Sequence, residues 1–176
     1  EYLYLDNLIK LKNLQNKIQF TYIGNLPKKN IFQTAKVIEP LYGKELANEL
    51  RKHDIYITGS KNEPSGNHHM EGALCGLPIL FVNSGALPEY CGSYGLEFSK
   101  EDLIEKIEII KRDYTKYTQK LNDYPFTFVN AGNEFIHLFN ETLKNKDKFI
   151  KNRKKQNKLT VLLNLIIFKT KKNLYK

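Results

Sequence analysis

Two glutamates separated by seven residues are the side chains of this sequence best placed to do chemistry. Glu63 and Glu71 lie in the segment NEPSGNHHME, and a carboxylate can accept hydrogen bonds from two neighbouring hydroxyls of a ligand. Between them, residues 65–68 can present unpaired backbone amides where a helix begins, a natural position for a phosphate oxygen. A ligand anchored by phosphate at the helix start could therefore meet Glu71 on one flank and Glu63 on the other, whereas the two glutamates taken alone fit the solvated start of a helix better.

A strand and a helix must position these carboxylates. DIYITGS predicts a strand that ends shortly before Glu63, and the next helix is predicted to begin near Gly66 or Asn67, about one turn ahead of Glu71. Further short strands are predicted at KIQFTYIG, AKVIEP, PILFV and YGLEF, and GKELANELRKH predicts a helix ahead of DIYITGS. Strands and helices thus alternate along the chain. This alternation predicts the α/β class, with a Rossmann-like parallel sheet covered by helices on both faces and ligands bound at the carboxyl ends of its strands.

Charge and periodicity divide the chain into two parts. From Lys100 onward only helical patterns occur, so we predict one domain over residues 1–143, including its C-terminal helices, and a helical or partly disordered extension over residues 144–176. The domain carries 16 lysines and arginines against 18 acidic residues, whereas the extension carries 12 against one. The domain therefore offers no basic face for nucleic acid. The extension is consistent with peripheral contact to an anionic membrane, or with a helix that packs on another domain.

Several other chemistries find little support in the sequence. Cys75 and Cys91 show no paired spacing, which fits packing in the core of a cytoplasmic protein. His68 and His69 have no third ligand at a known spacing and the chain has no D-x-D, so we expect no metal site. The glycines do not form the G-x-G-x-x-G of a nicotinamide site. The longest apolar run is about half of the roughly 20 residues that a membrane-spanning helix needs.

Residues 17–98 resemble the C-terminal, donor-binding domain of group 1 retaining glycosyltransferases of the GT-B fold. Four features in order carry the resemblance: a strand ending in Ser60, the E-x7-E pair, the helix-to-strand link GALCGLPIL and the loop NSGALPE. The resemblance implies that Glu63 is the catalytic residue beside the donor sugar and that Glu71 binds the ribose hydroxyls. The other implied donor-binding residues are Ser65, Gly66, Asn67 and His68 at the diphosphate and Gly85 and Glu89 near the sugar.

The resemblance implies transfer of a hexose-type sugar from a nucleoside diphosphate to an acceptor hydroxyl, with retention and without a metal or other cofactor. The acceptor would be a glycan, a lipid or a small molecule. Since the family's acceptor-binding domain and its basic diphosphate loop are not found in this sequence, we expect a missing N-terminal domain and a fragment that is incomplete as an enzyme. A non-catalytic nucleotide-sugar-binding module, a degenerate transferase and a sugar-nucleotide epimerase of the same fold are the alternatives.

Overall fold

The computed structural model describes residues 1–26, 28 and 31–153. Over these residues the chain is mixed α/β, as predicted. Short strands alternate with helices up to the fifth strand, except that no described helix separates the first strand from the second. The strands are β1 (Thr21–Ile23), β2 (Lys36–Ile38), β3 (Tyr56–Thr58), β4 (Ile79–Phe81) and β5 (Gly95–Glu97). The helices are α1 (Tyr2–Leu11), α2 (Gly43–Leu50), α3 (His68–Leu74), α4 (Leu87–Cys91), α5 (Leu103–Arg112), α6 (Tyr114–Leu121), α7 (Phe128–Lys144) and α8 (Lys146–Asn152).

Every strand pairing is parallel, but the described strands form two sheets rather than one. The first sheet pairs β1 with β2, with Tyr22 opposite Val37. The second has the order β3-β4-β5, with Leu80 opposite both Ile57 and Leu96. The parallel arrangement confirms the coarse prediction, whereas the break between β1 and β3 differs from the single sheet that the sequence suggested.

The central strand β4 is buried on both faces, which explains why PILFV is a continuous apolar run. Successive side chains of a strand point to opposite faces, and here they enter different hydrophobic clusters. Leu80 packs in a cluster with residues from α1, α5 and α6 and with the phenylalanines that precede β1 and follow β5: Leu5, Ile9, Phe20, Phe98, Leu103, Ile110 and Tyr117. On the other face, Ile79 and Phe81 pack with Ala73, Leu87, Cys91, Leu121 and Tyr124.

A buried carboxylate ties α1 to the loop before β2. Asp6 Oδ1 accepts hydrogen bonds from the backbone amides of Thr34 and Ala35, each at 2.8 Å, and Oδ2 accepts from the amide of Gln33 at 2.6 Å. The Thr34 hydroxyl donates a further bond to Oδ1 at 2.6 Å. Burial alone would raise the pKa of Asp6, but these hydrogen bonds together lower it below its ordinary value. The ionised carboxylate is therefore part of the folded structure.

The start of α1 also touches both sheets. The Gly59 amide, just beyond β3, donates a hydrogen bond to the Tyr2 hydroxyl at 3.1 Å. The Tyr2 ring packs edge-to-face on the ring of Tyr22 in β1, with 6.1 Å between the centroids. Helix α1 thus connects two strands that do not pair with each other.

The chain separates into two compact units, Glu1–Asn130 and Ala131–Lys176. The part of α7 that belongs to the second unit has an exposed apolar face, formed by Phe135, Ile136, Leu138, Phe139 and Leu143. The predicted basic extension begins in this unit, and its residues 154–176, to which the predicted membrane contact chiefly refers, lie outside the described residues. Among the described helices, none combines the length and the apolar character that crossing a membrane requires.

Candidate functional site

The predicted motif lies at the carboxyl ends of β3 and β4. Helix α3 begins at His68, with Asn67 as its N-cap, so Glu71 falls in its first turn as the sequence predicted. Gly72 allows the helix to approach the sheet, because a Cβ at this position would lie 2.5 Å from the Tyr56 ring. The absence of a side chain at Gly72 therefore sets the distance between α3 and β3.

His68 lies at the centre of the site. Its Nδ1 is 3.2 Å from the Tyr56 hydroxyl, and its Nε2 is 3.4 Å from Ser60 Oγ and 3.8 Å from Glu63 Oε2. Burial lowers the pKa of His68, while the negative charges of Glu63 and Glu71 oppose this effect. Burial also raises the pKa of the Tyr56 hydroxyl, which therefore keeps its proton. When this hydroxyl donates to Nδ1, neutral His68 carries its own proton on Nε2, toward Glu63.

Two loops meet at Glu63. Its carbonyl accepts a 2.9 Å hydrogen bond from the Ala86 amide, and the amide of the preceding Asn62 donates to Ser84 Oγ at 2.8 Å. Gly85, with φ +60°, lies so close that a Cβ would be 2.2 Å from the Glu63 carbonyl oxygen. The place of Gly85 near a sugar stays a prediction; in the structure Gly85 contacts the backbone of Glu63 and helps to fix its position.

The Glu63 carboxylate is directed toward the start of α3. A Cβ at Gly66 would lie 2.9 Å from Glu63 Cδ and 3.0 Å from His68 Cδ2. Gly66 therefore leaves the space in which the carboxylate and the imidazole approach each other. A side chain at this position would separate them or displace the loop.

The remaining predicted residues surround this centre without joining one hydrogen-bond network. Ser65 Oγ is 3.1 Å from the Tyr90 hydroxyl. Asn67, Glu71 and Glu89 are exposed, and their side chains make no hydrogen bond to another described residue. The structure thus joins Glu63, Gly66, His68 and Gly85 closely, and leaves Asn67, Glu71 and Glu89 accessible to a ligand.

A cavity of about 870 Å³ opens beside the site. We call it the inter-sheet cavity, because residues 17–24 around β1 and residues 52–57 before and in β3 form much of its wall. Ser60, His68 and Glu71 also line it, whereas Glu63 does not. Both glutamates therefore lie near His68, but only Glu71 lines the cavity.

Sequence reasoning did not identify the environment of His69. This side chain is fully buried, and neither ring nitrogen has a hydrogen-bond partner among the described residues. The ring packs against those of Tyr90 and His68, at centroid distances of 5.2 and 5.1 Å. Burial and the neighbouring His68 lower the pKa of His69, so the neutral ring is favoured. In the described ranges, no cluster of three or more His, Cys, Asp or Glu residues is arranged to hold a metal ion.

The two cysteines lie outside the centre formed by Glu63 and His68. Cys91 is buried in the hydrophobic cluster that contains Ile79 and Phe81, and burial raises the pKa of its thiol to about 12. Cys75 is half-buried at the end of α3, and burial raises its pKa as well. Because the thiolate is the nucleophilic form, both side chains are poorly suited to nucleophilic catalysis near neutral pH.

Comparison with protein-family models finds none that matches this chain, and comparison with curated proteins finds no match either. The assignment of a function therefore depends on the sequence motifs and on the geometry around His68.

Proposed function

We propose that this chain is the donor-binding half of a retaining glycosyltransferase, with a Rossmann-like domain that binds a nucleoside-diphosphate sugar. The observation that carries the proposal is the placement of Glu63 and Glu71 near His68, beyond the carboxyl end of β3. Parallel strands covered by helices on both faces support the proposed fold, because open sheets of this kind bind ligands at that edge.

Glu71 is the proposed ribose ligand. It is exposed in the first turn of α3 and lines the inter-sheet cavity, so its carboxylate is accessible to two adjacent hydroxyls. A carboxylate can accept from both hydroxyls, and such charge-assisted hydrogen bonds are stronger than those between neutral groups. The nucleoside would accordingly lie on the side of His68 that faces β1.

The diphosphate is placed between the two glutamates, where Ser65, Gly66 and Asn67 lead into α3. Their backbone amides and the Nε2–H of His68 are the proposed donors to phosphate oxygens. This arrangement supplies hydrogen bonds to the charge that develops on the leaving diphosphate. It operates without a bound metal, which the proposed reaction does not require.

Glu63 is proposed to orient the sugar. Its backbone is fixed by the Ala86 amide, and its carboxylate lies beside His68, so the group is preorganised before a donor arrives. In the reaction, the bond from the anomeric carbon to the diphosphate oxygen breaks and a bond to the acceptor oxygen forms on the same face. The acceptor proton passes to the departing diphosphate. Glu89, exposed in α4, is the proposed second contact to the sugar.

The acceptor would be held by a further domain, which makes the complete enzyme larger than the unit described here. A glycan, a lipid and a small molecule all present the hydroxyl that the reaction needs. Because the proposed donor site does not need the acceptor-binding domain, donor binding can be measured with this chain alone, separately from turnover.

Isothermal titration with UDP, GDP, ADP and TDP tests the nucleotide site. We expect one of them to bind, and Glu71→Gln to weaken its affinity about 10- to 100-fold, the range for lost hydrogen bonds to a charged group. Glu108→Gln, an exposed substitution on α5, should leave the affinity unchanged. Equal binding by wild type and Glu71→Gln would remove Glu71 from the ribose site, and no binding of any of the four would contradict the proposal.

A second titration isolates the role of Glu63. Glu63→Gln should bind the free nucleoside diphosphate nearly as well as wild type but bind the matching nucleotide sugar about 10-fold more weakly, since only the sugar contact is lost. If both ligands lose affinity equally, Glu63 does not contact the sugar. Normal sugar binding without transfer in the complete protein would instead identify a non-catalytic nucleotide-sugar-binding module.

A further inference from the structure

The hydroxyl of Tyr90, a residue outside the predicted motif, reaches the loop that is proposed to bind the diphosphate. Its oxygen is 3.1 Å from Ser65 Oγ, a contact between residues 25 positions apart in the sequence. Ser65 is exposed, and its side chain makes no other hydrogen bond to a residue that the structure describes. The direction of the Ser65 hydroxyl therefore depends on Tyr90.

The Tyr90 ring is held by packing against two other rings. Its centroid lies 5.2 Å from that of the buried His69 ring and 4.5 Å from that of Phe126, which it meets edge-to-face. Phe126 packs in turn on the ring of Tyr124 at 5.4 Å, and Tyr124 belongs to the buried core. Contacts of this geometry favour one orientation of the rings. The Tyr90 hydroxyl is therefore presented to Ser65 from a fixed position.

Helix α4, which carries Tyr90, is anchored in its own right. Its first and last residues are fully buried, and the Ala86 amide at its N-cap donates to the Glu63 carbonyl at 2.9 Å. Ser65 follows Glu63 by two residues. The loop after β3 and helix α4 are thus joined once through the main chain and once through the hydroxyls of Ser65 and Tyr90.

The chemistry of the two hydroxyls favours one direction for the hydrogen bond between them. A phenol is more acidic than an aliphatic alcohol, so the phenol is the better donor and the serine oxygen the better acceptor. When Tyr90 donates to Ser65 Oγ, the serine proton stays free for a second acceptor. A phosphate oxygen suits this role, because hydrogen bonds to charged groups are stronger than those between neutral groups. The pair therefore offers one proton to an anionic oxygen beside Ser65.

We propose that Tyr90 is a positioning residue of the donor site, which orients the Ser65 hydroxyl so that it donates to a phosphate oxygen of the nucleoside diphosphate. The inference rests on the proposed function and adds to it a residue from outside the motif. Tyr90 acts through Ser65 rather than by contact with the ligand. Removal of the Tyr90 hydroxyl should therefore weaken binding only while the Ser65 hydroxyl is present.

A double-mutant cycle in the whole chain tests this coupling, with isothermal titration of whichever of UDP, GDP, ADP and TDP the wild type binds. Tyr90→Phe, which keeps the ring and its packing, should weaken binding about 3- to 10-fold, and Ser65→Ala about 10-fold or more. Tyr90→Phe added to Ser65→Ala should cause no further loss, because the group on which it acts is already absent. Tyr94→Phe is the matched control. It removes a hydroxyl from a ring that packs on Tyr124, and should leave the affinity unchanged.

The outcomes separate this inference from the proposed function. If the wild type binds a nucleoside diphosphate and Tyr90→Phe binds it equally well, Tyr90 is not a positioning residue and the proposed function stands. Additive losses in the double mutant would overturn the inference in the same way. If the wild type binds none of the four nucleotides, the proposed function fails and the phosphate contact of Ser65 fails with it.

A second measurement needs no nucleotide. The NMR couplings between Hα and Hβ of Ser65 report its χ1 angle, which settles in one of three staggered rotamers when the side chain is held. We expect one rotamer in the wild type and in Tyr94→Phe, and averaging over rotamers in Tyr90→Phe. Averaging already in the wild type would overturn the inference without affecting the proposed function.

Discussion

The Ala86 amide donates a 2.9 Å hydrogen bond to the carbonyl of Glu63, and this bond joins the loops that follow β3 and β4. The bond forms because Gly85 passes against the Glu63 backbone with φ +60°, where a side chain has no room. A residue assigned to chemistry is therefore held through its main chain, and its carboxylate remains available for a ligand.

Gly85→Ala should destabilise the fold by about 3 kcal/mol or more, because left-handed strain of about 1–2 kcal/mol adds to a steric overlap with Glu63. Gly76→Ala is the matched control. Gly76 also has a positive φ, +86°, but a Cβ there would meet no atom within 4 Å. It should lose only about 1–2 kcal/mol, for strain alone. Urea unfolding measures both, and equal losses would show that the contact with Glu63 is unimportant.

Glu63→Gln should lower the pKa of His68 further. Burial already lowers that pKa, and the negative charge of Glu63 raises it part of the way back. Without this charge, the effect of burial on the pKa of His68 is larger. An NMR titration of the His68 ring in wild type and Glu63→Gln measures the change, with Glu108→Gln as the control. An unchanged pKa in Glu63→Gln would mean that the carboxylate and the imidazole do not interact in solution.

His69→Leu should stabilise the fold by about 1–2 kcal/mol near neutral pH, since it removes two buried ring nitrogens without partners. Because the pKa of His69 is lowered in the folded state, its neutral form stabilises the fold above the ordinary value of 6.5, and this contribution decreases as pH falls through the lowered pKa. His69→Leu should therefore also weaken the loss of stability on acidification. Thermal unfolding across this pH window measures both effects; a destabilised variant would indicate that the ring nitrogens bind a partner.

Asp6→Asn should destabilise the fold by about 2–4 kcal/mol near neutral pH, because the charged acceptor of several buried hydrogen bonds is lost. The pKa of Asp6 is lowered on folding, so its contribution is fully present above the ordinary value of 3.8 and is lost as pH falls through the folded-state pKa. The difference between wild type and Asp6→Asn in urea unfolding should shrink accordingly in acid. Asp123→Asn, at an exposed position, should change little, and a difference that is independent of pH would contradict the assignment.

The sequence predicted the local elements well, because local patterns determine them. Alternating β-branched residues located the strand at Tyr56–Thr58, and the end of α3 before Gly76 follows from a glycine that adopts φ +86°. The division into two sheets was not predictable in this way. It depends on which strands are neighbours in space, and the pattern within each strand is the same in either arrangement.

The site was predictable in part for the same reason. The placement of Glu63 and Glu71 around a helix start follows from positions close in sequence. The role of Gly85 depends on a contact with Glu63 across 22 residues, and the hydrogen bonds of Asp6 reach residues 27 to 29 positions away. Contacts over such separations leave no periodic signal, so they emerge only when the fold is known.

The edge-to-face pair of Tyr2 and Tyr22 has a practical consequence for spectroscopy. Tyr22 lines the inter-sheet cavity, and the chain contains no tryptophan. In Tyr22→Trp, excitation at wavelengths that tyrosine does not absorb would report on this single position, without background from the other aromatic residues. One substitution would thus turn the border between the two sheets into a fluorescent reporter of whatever enters there.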